Sequence, residues 1–559
     1  MKRITPLLFL LFIVAKLLDA QNTVGLLSYN PAKAYEGYNL IYPHNQPTVF
    51  LLNNCGEIVH TWEDEANLRP GNTAYILENG NLLKCKRMGS SAVNDPIWAG
   101  GGGETVDLRT WDNQLLATFT LNNEDFRLHH DVAALPNGNV LMIAWELKTG
   151  MEALEAGRDT SQLSQGEVWS ERILEWDPVL NEIVWEWSVW DHLVQDFDPQ
   201  RANFGVVADH PELINVNYDE HDGHPDWLHI NSIDYNPVLD QFVLSVPYFN
   251  ELWVIDHSTS TEEAAGHTGG RSGKGGDLLY RWGNPAAYNK GAVEDKKFFF
   301  QHDIHWVNGG AVEGDPYFGK IALFNNRVAN NYSTGNVINT GFDASTNSYS
   351  LEDGVFIPAD FEQIYVHPEA ETDLRAASTG LSSFQILPNG NVLFCSGRRG
   401  YAYEVDSQNK VIWEYFTPIK SGSPVEQGDT TIDISNNLTF RMQRYPISYP
   451  AFDGKDLTAK GYIELNPDEE FCENLTVSIN EVQIQDATIE VFPNPVDQLL
   501  TVSRGNSQAS LLNLFDLLGK NVRSLNFRGP SLSIDVNELQ PGIYFLGTEN
   551  GLIRKIVVR

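Results

Sequence analysis

Three of the 14 histidines in this 559-residue chain stand at matching distances before turn signals. His130 precedes Asn137-Gly138 by seven residues (HDVAALPNG), and His229 precedes Asn236-Pro237 by seven (HINSIDYNP). His302 precedes Asn308-Gly309 by six (HDIHWVNGG). Two further copies carry other polar residues there: Asn72 before Asn79-Gly80, and Ser382 in SSFQILPNG. Converging neutral imidazoles can hold a metal, act as acid–base groups near pH 7 or serve as a nucleophile toward an electrophilic centre. The residues alone leave all three open. No HxH or HExxH spacing accompanies them. Asp131 and Asp303 each follow a histidine, but on a strand they point to the opposite face.

The elements that position these residues are repeated. Leu77-Glu78-Asn79-Gly80-Asn81-Leu82-Leu83 is echoed by LPNGNVL at 135–141 and again at 387–393, with a looser copy at 234–244. Each reads as strand, tight turn, strand. A second piece ends in an aromatic residue: GEIVHTW (56–62), NEIVWEW (181–187) and NKVIWEY (409–415). Together they predict four-stranded antiparallel blades and an all-β fold, a β-propeller. Helical periodicity is scarce, and Glu152–Leu163 is at most a short helix. The Gly-rich stretch 266–283 reads as a surface loop, not a phosphate-binding loop, because no apolar strand leads into it.

The ends differ from this body. Residues 1–20, with Lys2 and Arg3 ahead of LLFLLFIV, form a signal peptide. No other run is long and apolar enough to span a membrane, so no integral membrane segment is expected. From 488 to 559, short alternating strands punctuated by Pro493-Asn494-Pro495 and Pro541-Gly542 predict a small Ig-like β-sandwich after a linker at 471–487. The net charge of −36 excludes a nucleic-acid backbone as partner. The negative excess lies in the body, since residues 488–559 hold 7 Lys+Arg against 6 Asp+Glu. Four cysteines in an exported chain permit two disulfides. Cys55 and Cys85, close in sequence, are the expected pair, with free buried thiols the alternative.

The C-terminal segment resembles the sorting domain of the bacterial type IX secretion system, through its FPNP opening, LFDLLGK turn and GIYFL…IRKIVVR ending. That resemblance implies the type IX machinery as a partner, export through the periplasm, and release or attachment at the cell surface. The body resembles the bacterial aryl-sulfate sulfotransferases. Trp227-Leu228-His229-Ile230-Asn231-Ser232 before YNP, Gln301-His302 before His305-Trp306, and His130-Asp131 before their turn carry the likeness. It spans most of residues 25–465 and implies a six-bladed propeller over residues 21–470.

The implied reaction is ping-pong sulfuryl transfer from a phenolic sulfate ester to a phenol, with no cofactor, metal or nucleotide sulfate donor. By motif, His302 is the nucleophile. His130, His229 and Asn231 bind the sulfuryl oxygens, with His130 or His229 as acid–base group, and Ser382 or Ser383 contributes a hydroxyl. Trp227, Tyr248, Phe249 and Phe298–Phe300 could stack a phenol. One departure stands out: the family's sulfate-clamping Arg falls at Pro247. Arg327 and Arg398 or Arg399 are the candidates to replace it. A secreted propeller that binds sulfated or aromatic ligands without turnover is the alternative, and a metal-dependent hydrolase using the histidines a further one.

Overall fold

A computed structural model of the protein describes residues 22–559 apart from 66–67, 89–94, 96, 330–331, 435, 476–489, 504–509, 517–519, 528 and 549–550. The signal peptide and most of the linker lie outside the described residues. One compact unit holds Lys33–Glu469 with the segment up to Tyr29, and a second holds Asn30–Ala32 and Glu470–Arg559.

The first unit is all-β. Helices are short, as at Gly150–Glu155, where the helical stretch expected from residue 152 begins. Six antiparallel sheets of four or five strands are present. Their first strands are β1 (Leu68–Ile76), β2 (Phe126–Ala134), β3 (Ser232–Asn236), β4 (His302–Trp306), β5 (Ser383–Ile386) and β6 (Thr439–Pro446).

The repeats become turns of one geometry. The Leu135 N–H donates to Asn139 O at 2.8 Å and the Gly138 N–H to Leu135 O at 3.0 Å. The same two bonds recur at Leu77–Asn81 and Leu387–Asn391. The aromatic-ended repeats form outer strands, Ile58–Glu63, Glu182–Ser188 and Val411–Phe416. Their indoles are buried and donate outward from their own sheets. Trp62 bonds Thr110 O at 3.3 Å, Trp187 bonds Gly276 O at 2.7 Å and Trp413 bonds Asn54 O at 2.8 Å. Burying one indole is worth at most roughly 5 kcal/mol by area, so these residues fix the seams between sheets.

The first strands are stitched into a closed ring. Ile233 N–H on β3 donates to Asp131 of β2, and Ile304 N–H on β4 to Ser232 Oγ of β3. Phe384 N–H on β5 reaches Asp303 of β4, and Arg444 N–H on β6 reaches Gln385 of β5. Ile76 N–H on β1 donates to the Tyr445 hydroxyl of β6, and Tyr75 on β1 donates to Asp131 at 2.6 Å. Asp131 and Asp303 thus bind neighbouring strands, as their position after a histidine predicts. The ring closes because β6, late in the chain, pairs with Gly37–Pro43, early in it. Such pairing fixes the two ends of the domain together at high loop-closure cost.

The expected Cys55–Cys85 bridge is absent. Cys55 and Cys472 are the disulfide-bonded cysteines, while Cys85 and Cys395 are free and buried on inner strands. Proximity in sequence misled because Cys85 sits mid-strand in Leu82–Met88, which pairs with β1, packed against Thr73. The second unit has a three-stranded sheet (Glu490–Phe492, Leu499–Ser503, Ser531–Asp535) and a four-stranded one. They enclose an apolar core that includes Val502, Leu514 and Leu546. Among the described residues no helix is long and apolar enough to cross a membrane.

Candidate functional site

The residues seven before each turn share one backbone state. Asn72 (φ 102°), His130 (58°), His229 (57°) and Ser382 (97°) all adopt positive φ, a costly conformation for residues with a side chain. It turns each side chain out of strand alternation at the ring's edge. His302 does not share it. There the left-handed residue is Asp303 (57°), beside a register shift between His302 and His305. A bulge compensates for the six-residue spacing and brings His302 to the same place.

The three histidines converge and are almost fully buried. The His130 and His229 rings lie 4.6 Å apart between centroids. Phe440 lies between His130 and His302, at 6.3 and 6.1 Å. Gly101 caps His130: a Cβ there would sit 1.9 Å from His130 Cε1, and its φ is +65°. Below Phe440, Arg441 closes the axis through ion pairs to Asp131 at 3.0 Å and Asp303 at 2.9 Å. A cavity of about 350 Å³ on the other side of that plug is lined by Asp234, His305 and Arg441 and contains none of the three histidines.

Behind His130 runs a buried relay that sequence reasoning missed. His130 Nδ1 meets His129 Nδ1 at 2.7 Å, and His129 Nε2 meets Glu171 Oε2 at 2.8 Å. Glu171 Oε1 accepts from the Ile230 N–H at 3.0 Å. The His129 ring is stacked on Trp145 at 3.8 Å, which fixes its plane. Burial, with a smaller push from Asp226, raises the Glu171 carboxyl well above the usual range. Burial and the neighbouring His229 lower His129 and His130 well below theirs. Neutral groups are therefore favoured throughout. A protonated Glu171 donates to His129 Nε2, His129 Nδ1–H donates to His130 Nδ1, and His130 Nε2 then carries a proton toward the site. Moving that proton out, and shifting the others along, leaves His130 Nε2 as an acceptor and Glu171 ionised. His229 has its own partner: its Nδ1 lies 2.6 Å from Asp226, which also accepts from Trp145 Nε1 at 3.1 Å.

His302 is held as a neutral base. The Asn326 amide nitrogen donates to Ser378 O at 3.1 Å and Leu381 O at 3.0 Å, so its oxygen is the group facing His302 Nδ1 at 2.9 Å. Nδ1 therefore carries the proton and Nε2 the lone pair, which accepts from the Leu381 N–H at 3.1 Å. Burial is the main cause of a pKa pushed down to about 3, against the rise from Asn326.

The other expected residues divide. Arg398 lies close to His302. A Cβ on Gly380 would be 3.5 Å from Arg398 Nε and 3.9 Å from His302 Cε1. Arg327 bonds Thr379 O at 2.9 Å and lies 3.7 Å over the Phe300 ring. Phe300 and Tyr248 flank His229 at 6.3 and 5.1 Å. Asn231 bonds Gln301 O at 2.8 Å, leaving its buried Oδ1 unpartnered. Ser382 Oγ accepts from the Gly397 N–H at 3.0 Å and so braces the His302 wall from behind.

Five of the expected residues face away from the histidines. Trp227 is buried against Phe249 and Arg158, because its indole bonds Tyr218 O and faces the core. Phe249 and Phe298 are core residues as well. Ser383 alternates away from Ser382 and bonds Met442 O on β6. Arg399 turns back to Ala377 O. Sequence reasoning also missed His44, buried and pushed down to about 4 by desolvation and the nearby charges of Arg87 and Arg398. Adjacent His129-His130 was the one available signal of the relay, since Glu171 and Asp226 come from distant segments.

A sequence profile of the Arylsulfotransferase (ASST) family matches residues 99–417, and one of a secretion system C-terminal sorting domain matches residues 490–559. No curated protein sequence matches the chain. Similar solved structures include a protein of unknown function from Bacteroides caccae, at 10% identity, covering 74% of this chain and 99% of that one, with a TM-score of 0.38. Others are a Pseudomonas aeruginosa periplasmic gluconolactonase (9%, 72% and 99%, 0.33) and a streptogramin B lyase (10%, 76% and 94%, 0.32). The sorting domain indicates export, with secretion or attachment at the outer-membrane surface.

Proposed function

The chain belongs to the arylsulfotransferase (ASST) family, and from that premise we propose that it transfers a sulfuryl group from an aryl sulfate to a phenol through a sulfated His302. The body, residues 21–470, is read as a six-bladed propeller. Residues 488–559 are read as a β-sandwich tail that addresses the chain to the type IX machinery.

The observation that carries this reading is the state of His302. Its Nδ1 proton is fixed by Asn326 and its Nε2 lone pair is unprotonated at any pH above about 4. In the first half-reaction Nε2 gives up the Leu381 N–H and bonds sulfur as the S–O(aryl) bond breaks. His130 Nε2 gives its proton to the departing phenolate oxygen, and the relay shifts so that Glu171 becomes ionised. In the second half, the acceptor phenol attacks sulfur, the N–S bond breaks, and the phenol's proton enters at His130 Nε2 and returns Glu171 to its neutral form. No buried imidazolium forms along the relay at any step.

Charge on the sulfuryl oxygens would meet the guanidinium groups of Arg398 and Arg327, whereas His229 is oriented by Asp226 through its Nδ1. This placement supports those two arginines as substitutes for the clamp lost at Pro247. Preorganised donors in a water-poor site are worth about 3–4 kcal/mol each when removed. Tyr248 and Phe300 would stack the aryl ring. The test is intact-protein and peptide mass spectrometry after exposure to an aryl sulfate without acceptor. A gain of one SO3 on the peptide bearing His302, discharged by added phenol and absent in His302→Ala, is expected. A folded protein that gains no SO3 refutes the reading.

A further inference from the structure

We propose that His192, His267 and Asp277 form a binding site for a divalent transition metal of the zinc type, remote from the inner strands. Their ligand atoms all lie within 4.8 Å of one another. His192 follows the outer strand Glu182–Ser188, whereas His267 and Asp277 come from the Gly-rich loop after Glu251–Asp256. The decisive feature is hydrogen-bond polarity. His192 Nε2 lies 2.8 Å from Ala264 O, a group that only accepts, so Nε2 carries the proton. Nδ1 is then the ring nitrogen left for a ligand bond, and it faces Asp277 Oδ1 at 2.8 Å. His267 Nδ1 converges on the same oxygen at 2.7 Å. Two imidazole nitrogens and a carboxylate oxygen so gathered make a donor set for one cation.

A backbone carbonyl holding the far N–H of a ligating imidazole is the usual second-layer support of a metal site. The surroundings are shaped to keep it. His192 is fully buried and stacked 5.6 Å from Trp187 at 9°. Gly276 lies against the His192–Ala264 bond, where a Cβ would be 2.0 Å from Ala264 O and 2.7 Å from His192 Nε2. This explains a glycine in a stretch that otherwise resembled a plain loop. The His267 side chain is 59% exposed, which leaves an entry path and room for water as a fourth ligand. Two nitrogens and one carboxylate oxygen suit Zn²⁺ better than Ca²⁺ or Mg²⁺, which prefer all-oxygen shells. Such an ion would pin the loop to the outer strand.

The experiment titrates Zn²⁺ alone into the purified, chelator-dialysed full chain by calorimetry, with elemental analysis and thermal melting in parallel. One Zn²⁺ per chain and a raised Tm are expected. His267→Ala, at an exposed position that leaves the fold intact, should weaken binding at least tenfold, as should Asp277→Asn. Absence of stoichiometric uptake overturns the proposal. Uptake unchanged in both variants overturns it equally.

Discussion

Replacing Glu171 by Gln isolates the proton relay from every other part of the site. The side chain keeps its size, and its oxygen can still accept from Ile230 N–H. Its amide N–H then donates permanently to His129 Nε2, which fixes His129 Nδ1–H as donor to His130 and leaves a proton on His130 Nε2. The site retains a hydrogen-bond donor but loses the means to give or take a proton without charging a buried imidazole. Both links of the relay are short, 2.8 and 2.7 Å, within hydrogen-bond reach for the proton transfer proposed.

General acid–base catalysis contributes typically 10²–10⁴ in rate, so about a hundredfold loss, or roughly 2.7 kcal/mol, is expected in steps that need proton transfer. A nitrophenyl sulfate, whose phenolate leaves unaided, should still sulfate His302 at close to the wild-type rate in a rapid-mixing burst. Alkyl-substituted phenyl sulfates should sulfate it slowly, and transfer to a phenol should slow by about a hundredfold. Equal loss across all donors, or no loss in the acceptor step, refutes the relay.

Arg398→Ala should raise the KM for the donor by about tenfold or more, as expected for one charged hydrogen bond of about 1.5–3 kcal/mol. Arg327→Ala, whose guanidinium is already engaged by Thr379 O and the Phe300 ring, should have the smaller effect in the same steady-state assay. His44 and His302 are held at about 4 and about 3, below an unfolded value of about 6.5. The unfolded chain therefore binds more protons between those limits, and stability falls as pH drops below about 6.5. Melting temperatures measured from pH 7 to pH 4 should decline less in His44→Gln than in the wild type. Gly101→Ala should abolish activity by driving a methyl group into His130, with circular dichroism showing the strands intact; a fully active variant would refute the cap.

Much of the site was legible because turns and strands obey local rules. Asn-Gly and Asn-Pro turns mark the repeat, and counting back from them locates Asn72, His130, His229 and Ser382, which share a backbone state. The count failed by one residue at His302, where a bulge, invisible in the spacing, restores convergence. Asp131 and Asp303 face neighbouring strands, and Ser383 faces Met442 O on β6. Trp227 and Arg399 misled because side-chain direction outside regular strands depends on tertiary hydrogen bonds to Tyr218 O and Ala377 O.

The sequence by itself determined the all-β body, its repeats, the histidine trio and the sorting tail, since each rests on short-range pattern. Only the tertiary structure decided which groups stand behind those histidines. Glu171 lies 42 residues from His129, and Asn326 lies 24 from His302. Such pairings arise from adjacent strands and closing loops, and no local periodicity encodes them. The same holds for protonation. A histidine is a titrating group in sequence, and His302 becomes a neutral base of fixed tautomer only because burial and an oriented amide oxygen decide where its proton sits.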